Sequence, residues 1–221
     1  MIRFISFEGG DGSGKSTQLR LIEQYLTARG TKCLSTREPG GTSLGKMIRQ
    51  VVLQVGEREV AWPTELFLYL ADRAQHVTEL IQPALRSGML VLCDRFMDST
   101  VAYQGYGRGV DLAMLRRLND IASRGIVPDL TFLLDCPVEV GLSRTRQRSQ
   151  ISSPAARSQD AELEGLDRFE RERLDFHEKV RQGFLEIARA EKDRFVILDA
   201  RQSVAQLHDE IKRIVEERLM A

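Results

Sequence analysis

Long apolar runs are missing from this 221-residue chain, and a transmembrane helix needs about 20 such residues in a row. No membrane span is expected. A surplus of either charge is missing too. Lys and Arg total 32, as do Asp and Glu, which argues against a nucleic-acid coat or a membrane-surface role. That balance leaves room for local arginine clusters that grip phosphates. Cysteine is sparse: Cys33, Cys93 and Cys136 stand far apart and form no Cys-x-x-Cys pair, so a zinc site is not expected. Each lies beside apolar residues and reads as a buried, reduced thiol, in keeping with a reducing cytosol. Asparagine occurs once, as Asn119 before Asp120, so the Asn-Lys-x-Asp guanine reader of GTPases is absent. The ABC-transporter signature and the protein-kinase catalytic loop are absent as well. The N-terminus runs straight into an apolar stretch, so no signal peptide is expected. The three histidines, His76, His177 and His208, carry no motif and read as structural.

What is present is organised around residues 4–17, FISFEGGDGSGKST. A strand-like run (Ile2, Phe4, Ile5, Phe7) leads into Gly9-x-x-x-x-Gly14-Lys15-Ser16, and Leu19, Ile22 and Leu26 then recur at helical spacing. This is the P-loop pattern in its required strand–loop–helix context. Gly9, Gly10, Gly12 and Gly14, with Asp11, Ser13 and Thr17, form a tight turn whose backbone N–H groups face phosphate oxygens. Lys15 reaches the β- and γ-phosphates, and the Ser16 hydroxyl ligates Mg²⁺. The helix that follows directs its positive end at the same anion.

With 29% charged and 42% apolar residues, the chain reads as one globular α/β domain over 1–221. Helices are predicted at about 15–29, 43–54, 64–86, 98–104, 112–123 and 166–190, and a last one carries Val204, Leu207, Ile211, Ile214 and Val215. Thr64 is a plausible N-cap of the third. Trp62 reads as a packing anchor in the polar connection 56–63. Gly105, Gly107 and Gly109 are expected to break the fourth helix. Strands are predicted at 32–36, 89–93, 130–134 and 195–198. A helix bearing Arg144, Arg146 and Arg148 leads into 150–165, which lacks apolar periodicity and reads as a mobile surface segment. The expectation is a three-layer P-loop NTPase fold: a five-stranded parallel sheet, helices on both faces, and a mobile lid at about 144–168. Ligands bind beyond the carboxyl ends of such strands. Asp11, Arg37, Asp94, Arg95, Asp135 and Asp199 all fall on that rim.

A P-loop serves hydrolases and kinases alike. With the GTPase, transporter and protein-kinase signatures absent, the pattern points to a small phosphoryl-transfer enzyme whose acceptor is itself a phosphate. Arg37, Arg73 and Arg95 are its candidate cations, because a guanidinium fork holds a phosphate bidentately. Another P-loop kinase, acting on a nucleoside or a different monophosphate, stays open at this point. So does a nucleotide-binding regulator without catalysis, which the intact Lys15, Ser16, Asp94 and Arg95 disfavour.

The blocks FEGGDGSGKST (7–17), TREPGGT (36–42), CDRF (93–96), Ser99-Thr100 and AYQG (102–105), Pro128-Asp129, DRFE (167–170) and Asp199-Ala200 together resemble the thymidylate kinase family over essentially the whole chain. The resemblance implies transfer of phosphate from ATP to dTMP with Mg²⁺, in a cytoplasmic homodimer. It implies that Arg37 and Arg95 hold the dTMP phosphate. Asp11 lies near the sugar 3′-hydroxyl and the metal, and Asp94 joins Ser16 at Mg²⁺. It implies that Arg73 bonds the thymine carbonyl, that Ser99, Thr100 and Gln104 lie along the substrate, and that Tyr103 crowds the 2′ side of the sugar. Ala200 is expected at the adenine pocket. Tyr69 stands where the family usually stacks a phenylalanine, with Phe67 the other aromatic nearby. Gly12 stands where some relatives carry a catalytic arginine. The chain therefore resembles the lid-arginine type, with Arg148 and Arg168 flanking the lid.

Overall fold

The structure, a computed structural model, describes residues 2–53, 60–151, 169 and 172–220, with backbone alone for 148–151 and 220. Five strands, β1 (Phe4–Glu8), β2 (Cys33–Arg37), β3 (Leu90–Asp94), β4 (Leu130–Asp135) and β5 (Phe195–Asp199), form one sheet in the order β2-β3-β1-β4-β5. Every pairing is parallel, as the alternation of strands with helices predicts. Helices α1 (Lys15–Ala28), α2 (Ser43–Leu53), α3 (Trp62–His76), α4 (Gln82–Arg86), α5 (Met97–Thr100), α6 (Leu112–Ser123), α7 (Val138–Ile151), α8 (Leu174–Ala190) and α9 (Val204–Met220) cover it.

All five residues of β1 are buried, because it is the middle strand with helices on both faces. Its side chains nevertheless alternate. Ile5 and Phe7 enter the core built with α1 and α9, beside Ile22, Phe132 and Ile211. Phe4 enters the opposite core with Val77, Ile81 and Phe96. Ser6 faces that second side and bonds Thr131 Oγ1 at 2.8 Å. The chain leaves β1 for β2, returns through β3, and only later reaches β4 on the other flank. The crevice of this parallel sheet therefore opens beyond the ends of β1 and β3. Register brings those ends level: Phe7 pairs with Asp94, and Arg37 pairs with Asp94 from the other side.

Four sequence expectations are corrected. Helix α3 begins at Trp62, with Ala61 as N-cap and Pro63 in its first turn. Thr64 is therefore not the cap; proline's fixed φ and missing N–H suit the first turn and pull the start forward. Trp62 is nearly half exposed and joins no core cluster among the described residues. A π-helical stretch, Val77–Ile81, joins α3 to α4 so that the helix runs to Arg86 through Pro83. Likewise α5 continues as a π-helix over Val101–Gly107, so Gly105 and Gly107 do not break it. Those glycines are small for packing: a Cβ on Gly105 would meet Leu112 at 2.5 Å, and one on Gly107 would meet the Phe176 ring at 2.7 Å. Finally, α8 starts at Leu174, and Phe169 lies in a turn. Phe169 still packs 6.3 Å from Phe176, which preserved its apparent helical spacing. Residues 152–168 of the predicted lid lie outside the described residues, while 144–151 belong to α7.

Close packing between α8 and the π-helical 101–107 stretch is sharpest at Gly183, where a Cβ would fall 2.6 Å from the Tyr106 ring. Alanine in a helix gains about 1 kcal/mol over glycine, but overpacking costs about 1–3 kcal/mol. Gly183→Ala should therefore be less stable than the parent. Urea unfolding should show a lower midpoint with an unchanged m value.

Candidate active site

The loop between β1 and α1 turns on glycine. Gly14, at φ 95°, caps α1 without any side-chain hydrogen bond to the helix N-terminus, which leaves N–H groups available to an anion. Gly12, at φ 70°, lies so close to α7 that an added Cβ would sit 2.1 Å from the Gly141 carbonyl oxygen. Lys15 folds back over its own loop: Nζ donates to Gly10 O at 2.8 Å and to Gly9 O at 3.1 Å. Burial and the nearby Arg95 push the Lys15 ammonium down to about 8, against the opposing pull of Asp94, Asp11 and Glu8. Ser13 is buried beneath it.

A cavity of about 220 Å³ opens in front of this loop, lined by Lys15, Ser16 and Thr17 and by Arg37, Asp94 and Arg95. Arg95 is its organising cation. It takes a left-handed backbone, φ 67°, a conformation costing about 1–2 kcal/mol for a residue with a Cβ. Its N–H bonds Phe7 O at 2.9 Å. Its Nη1 donates to Gly9 O at 3.0 Å and Ser99 Oγ at 3.2 Å. Its Nη2 donates to Asp11 Oδ1 at 2.7 Å and to the Tyr103 hydroxyl at 3.2 Å. Burial would push Asp11 up, but Arg95 and Lys15 hold its carboxyl below the usual range. Tyr103 also donates to Asp11 Oδ2 at 3.1 Å, and its ring meets Phe169 edge-on at 5.5 Å.

Ser16 Oγ donates to Asp94 Oδ2 at 2.5 Å. A hydroxyl and a carboxylate meeting beside the P-loop are the protein ligands a hard cation such as Mg²⁺ needs. Among the described residues no group of three or more His, Cys, Asp or Glu could hold a metal on its own. The donor set thus fits an ion completed by phosphate oxygens and water, as Mg²⁺ requires.

On the far wall, Tyr69, Arg73, Thr100 and Gln104 line the same cavity. Phe67 points away and is 62% exposed. Arg73 is almost fully buried and ion-paired with Glu38 at 2.8 Å. Gln104 donates to Glu65 Oε1 at 2.8 Å. Ala200 is buried after β5, where its carbonyl accepts from Arg144 Nη1 at 3.0 Å, and it does not line the cavity. Arg144 also reaches Gly12 O at 3.4 Å, so it braces the P-loop. The side chain of Arg148, and Arg168 entirely, lie outside the described residues. Asp135 and Asp199, on the rim in sequence, are engaged by Arg181 and Arg201.

Sequence reasoning missed the buried carboxylates behind these residues. Glu38 joins Arg73 to His76 Nδ1, 2.9 Å away, and His76 Nε2 meets Thr36 Oγ1 at 2.6 Å. Glu8 accepts from Phe96 N at 2.7 Å and Ser99 Oγ at 2.6 Å. A charged residue ending a fully buried strand was the available signal for Glu8. Glu38 was hidden inside the Arg37-Glu38-Pro39 block.

Comparison with known proteins gives a consistent picture. The sequence pattern described as Thymidylate kinase matches residues 7–211. A thymidylate kinase of Desulfovibrio desulfuricans is 52% identical over 199 residues, spanning 90% of this chain and 88% of that protein. One from Cyanothece sp. is 48% identical over 231 residues, spanning 98% of this chain and 94% of that protein. The crystal structure of thymidylate kinase from Ehrlichia chaffeensis superposes with a TM-score of 0.73 at 31% identity, covering 96% of this chain and 97% of that one.

Burial, with Asp98 nearby, pushes the Glu8 carboxyl up from its ordinary 4.5 to about 8. The folded protein then holds a proton that the unfolded chain has released. The associated stability is complete below pH 4.5 and is lost as pH rises to 8. Glu8→Gln cannot titrate. Thermal melts between pH 5 and 8 should show the parent losing ground to this variant, by on the order of 1 kcal/mol per pH unit, with no further divergence above pH 8; parallel curves between 5 and 8 would contradict the assignment.

Proposed function

The chain belongs to the thymidylate kinase family, and on that premise we propose that it transfers the γ-phosphoryl group of ATP to the 5′-phosphate of dTMP, giving dTDP and ADP for dTTP synthesis. The observation that carries this reading is one cavity with a P-loop at one end and a buried, carboxylate-anchored arginine at the other, Arg37 and Arg95 lying between. ATP lies with its phosphates on the 9–17 loop, where Lys15 exchanges its carbonyl contacts for the β- and γ-oxygens. Ser16 and Asp94 would hold Mg²⁺, which supplies charge neutralisation on the phosphate oxygens. Arg37 and Arg95 hold the acceptor phosphate in line with the transferred group. Asp11 keeps Arg95 charged and aimed and lies toward the sugar 3′-hydroxyl. Tyr103 crowds the 2′ side. Tyr69 stacks on the base while Arg73, Thr100 and Gln104 meet its polar edge, and Ser99 orients Arg95. No general base is needed, because the acceptor phosphate is already an anionic nucleophile.

Charge on the transferring group is assigned to Arg148 and Arg168 in the lid. The packing at Gly12 supports this, since a side chain there would collide with Gly141. A cytoplasmic site of action agrees with the absence, among the described residues, of any helix long and apolar enough to cross a membrane.

We also assign the chain to a homodimer. Met47 (57%) and Val51 (53%) on α2, Phe67 (62%) on α3 and Ile121 (73%) on α6 are all exposed, and α3 packs against both α2 and α6. These three helices thus present apolar side chains on neighbouring surfaces, which a second copy can cover.

An acceptor screen with ATP and Mg²⁺ tests the reaction. ADP and dTDP should form in equal amounts from dTMP, and thymidine should not be phosphorylated. Lys15→Ala should lower kcat by about 10²-fold or more with the fold intact. Thymidine as the better acceptor would sink the proposal. The dimer is tested by light scattering: the Met47→Glu, Phe67→Glu double variant should run as a monomer, and a persisting dimer would remove α2 and α3 from the interface.

A further inference from the structure

The single asparagine of the chain is fully buried on α6, a helix that contributes no residue to the main cavity. Yet Asn119 Oδ1 accepts from Arg73 Nη1 at 2.5 Å, while its Nδ2 donates to Met97 O at 3.1 Å. We propose that Asn119 is a positioning residue for base selection: through Arg73 it makes the cavity favour a pyrimidine with a 4-carbonyl over one with a 4-amino group. This rests on the assignment of Arg73 to the nucleobase.

A guanidinium carries five N–H donors in one plane. Arg73 commits Nε to Glu38 Oε2 at 2.8 Å, and Nη1 to Thr100 Oγ1 at 2.9 Å and to Asn119. Both Nη2 hydrogens are left, and among the described residues no hydrogen bond uses them. The Phe96 ring lies 5.2 Å from the guanidinium carbon and covers one face. What remains is an edge that can only donate. It bonds a carbonyl oxygen and opposes an amino group, whose hydrogens face the same way.

The selectivity then depends on how firmly that edge is held. Glu38 fixes one side and is itself held by His76. On the other side Thr100 is a weak anchor, because a hydroxyl rotates. Asn119 is the rigid one: its side chain is fully buried and its amide plane is pinned at both ends. A neutral oxygen also leaves Glu38 as the only counter-ion within contact of Arg73 among the described residues. Aspartate at 119 would keep the acceptor, but would set a second carboxylate against Met97 O and lose that bond.

The full-length protein carrying Asn119→Ala, with Asn119→Ser as the milder alternative if alanine folds poorly, should be assayed with dTMP and with dCMP. The KM for dTMP should rise about tenfold and that for ATP should stay within about twofold. The dTMP-to-dCMP ratio of kcat/KM should fall about tenfold. A variant that melts lower but keeps the parent ratio and dTMP KM would make Asn119 a core amide only, and overturn the proposal. Arg73→Ala, run alongside, separates the two ideas. If it abolishes selectivity while the Asn119 variants do not, only the positioning role fails. If it leaves selectivity intact, the assignment of Arg73 to the base fails and this inference with it.

Discussion

The Arg95 guanidinium is the tie on which the site depends. It sits on a left-handed backbone at the end of β3 and reaches across to the P-loop carbonyl of Gly9, to Asp11, and to Ser99 and Tyr103 of the helical stretch beyond. Three chain segments that meet only at the sheet's crevice are thereby locked to one charge. The strain of that backbone is tolerated because the N–H is bonded to Phe7 O and the side chain has four partners. The cation that aligns the loop also lines the cavity, so a substitution there would disturb the loop and the cavity wall together.

Buried carboxyl groups cluster around this tie, and Glu38 and Asp98 are each answered by an arginine. Glu8, Glu38, Glu65 and Asp98 are all buried. Glu38 meets Arg73 and His76; Asp98 meets Arg194 at 2.7 Å, and Arg194 also donates to Thr131. Such pairs add little net stability compared with apolar packing, but removing one partner is costly. Their value here is directional: in the cavity wall Arg73 is aimed by Glu38 and Arg95 by Asp11. Asp72, whose Oδ1 accepts from Gly40 N at 3.1 Å, is pushed up to about 6 by burial and by Glu38 beside it.

Most of the architecture was legible in the sequence, since strand and helix periods differ and the P-loop fixes the first βα unit. The misreadings have specific physical causes. Pro63 moved a helix start that Thr64 was expected to set. Gly105 and Gly107 looked like breakers because a sequence does not reveal that Leu112 and Phe176 press against them. Phe169 kept helical spacing while standing in a turn. Lys15, Arg37, Asp94 and Arg95, which end strands or sit in dense motifs, do line the cavity, whereas Arg49, Leu53 and Thr145 line it without any such signal. The supports behind the cavity were not legible: Asn119, Glu65 and Glu8 come from separate elements, and only the folded chain brings them behind Arg73, Gln104 and Ser99.

The contact between Gly12 and Gly141 leaves no slack. An added methyl on either would run into the other's neighbourhood, 2.1 Å from Gly141 O or 2.3 Å from Asp11 O, and Arg144 clasps the same loop from the next turn of α7. Loop and helix therefore mesh like gear teeth, bare backbone against bare backbone. Any adjustment of the loop would therefore have to displace α7 as well. From Gly141 the same helix runs on to Ile151, so a push at the loop would be delivered along a stiff rod rather than absorbed where it arises.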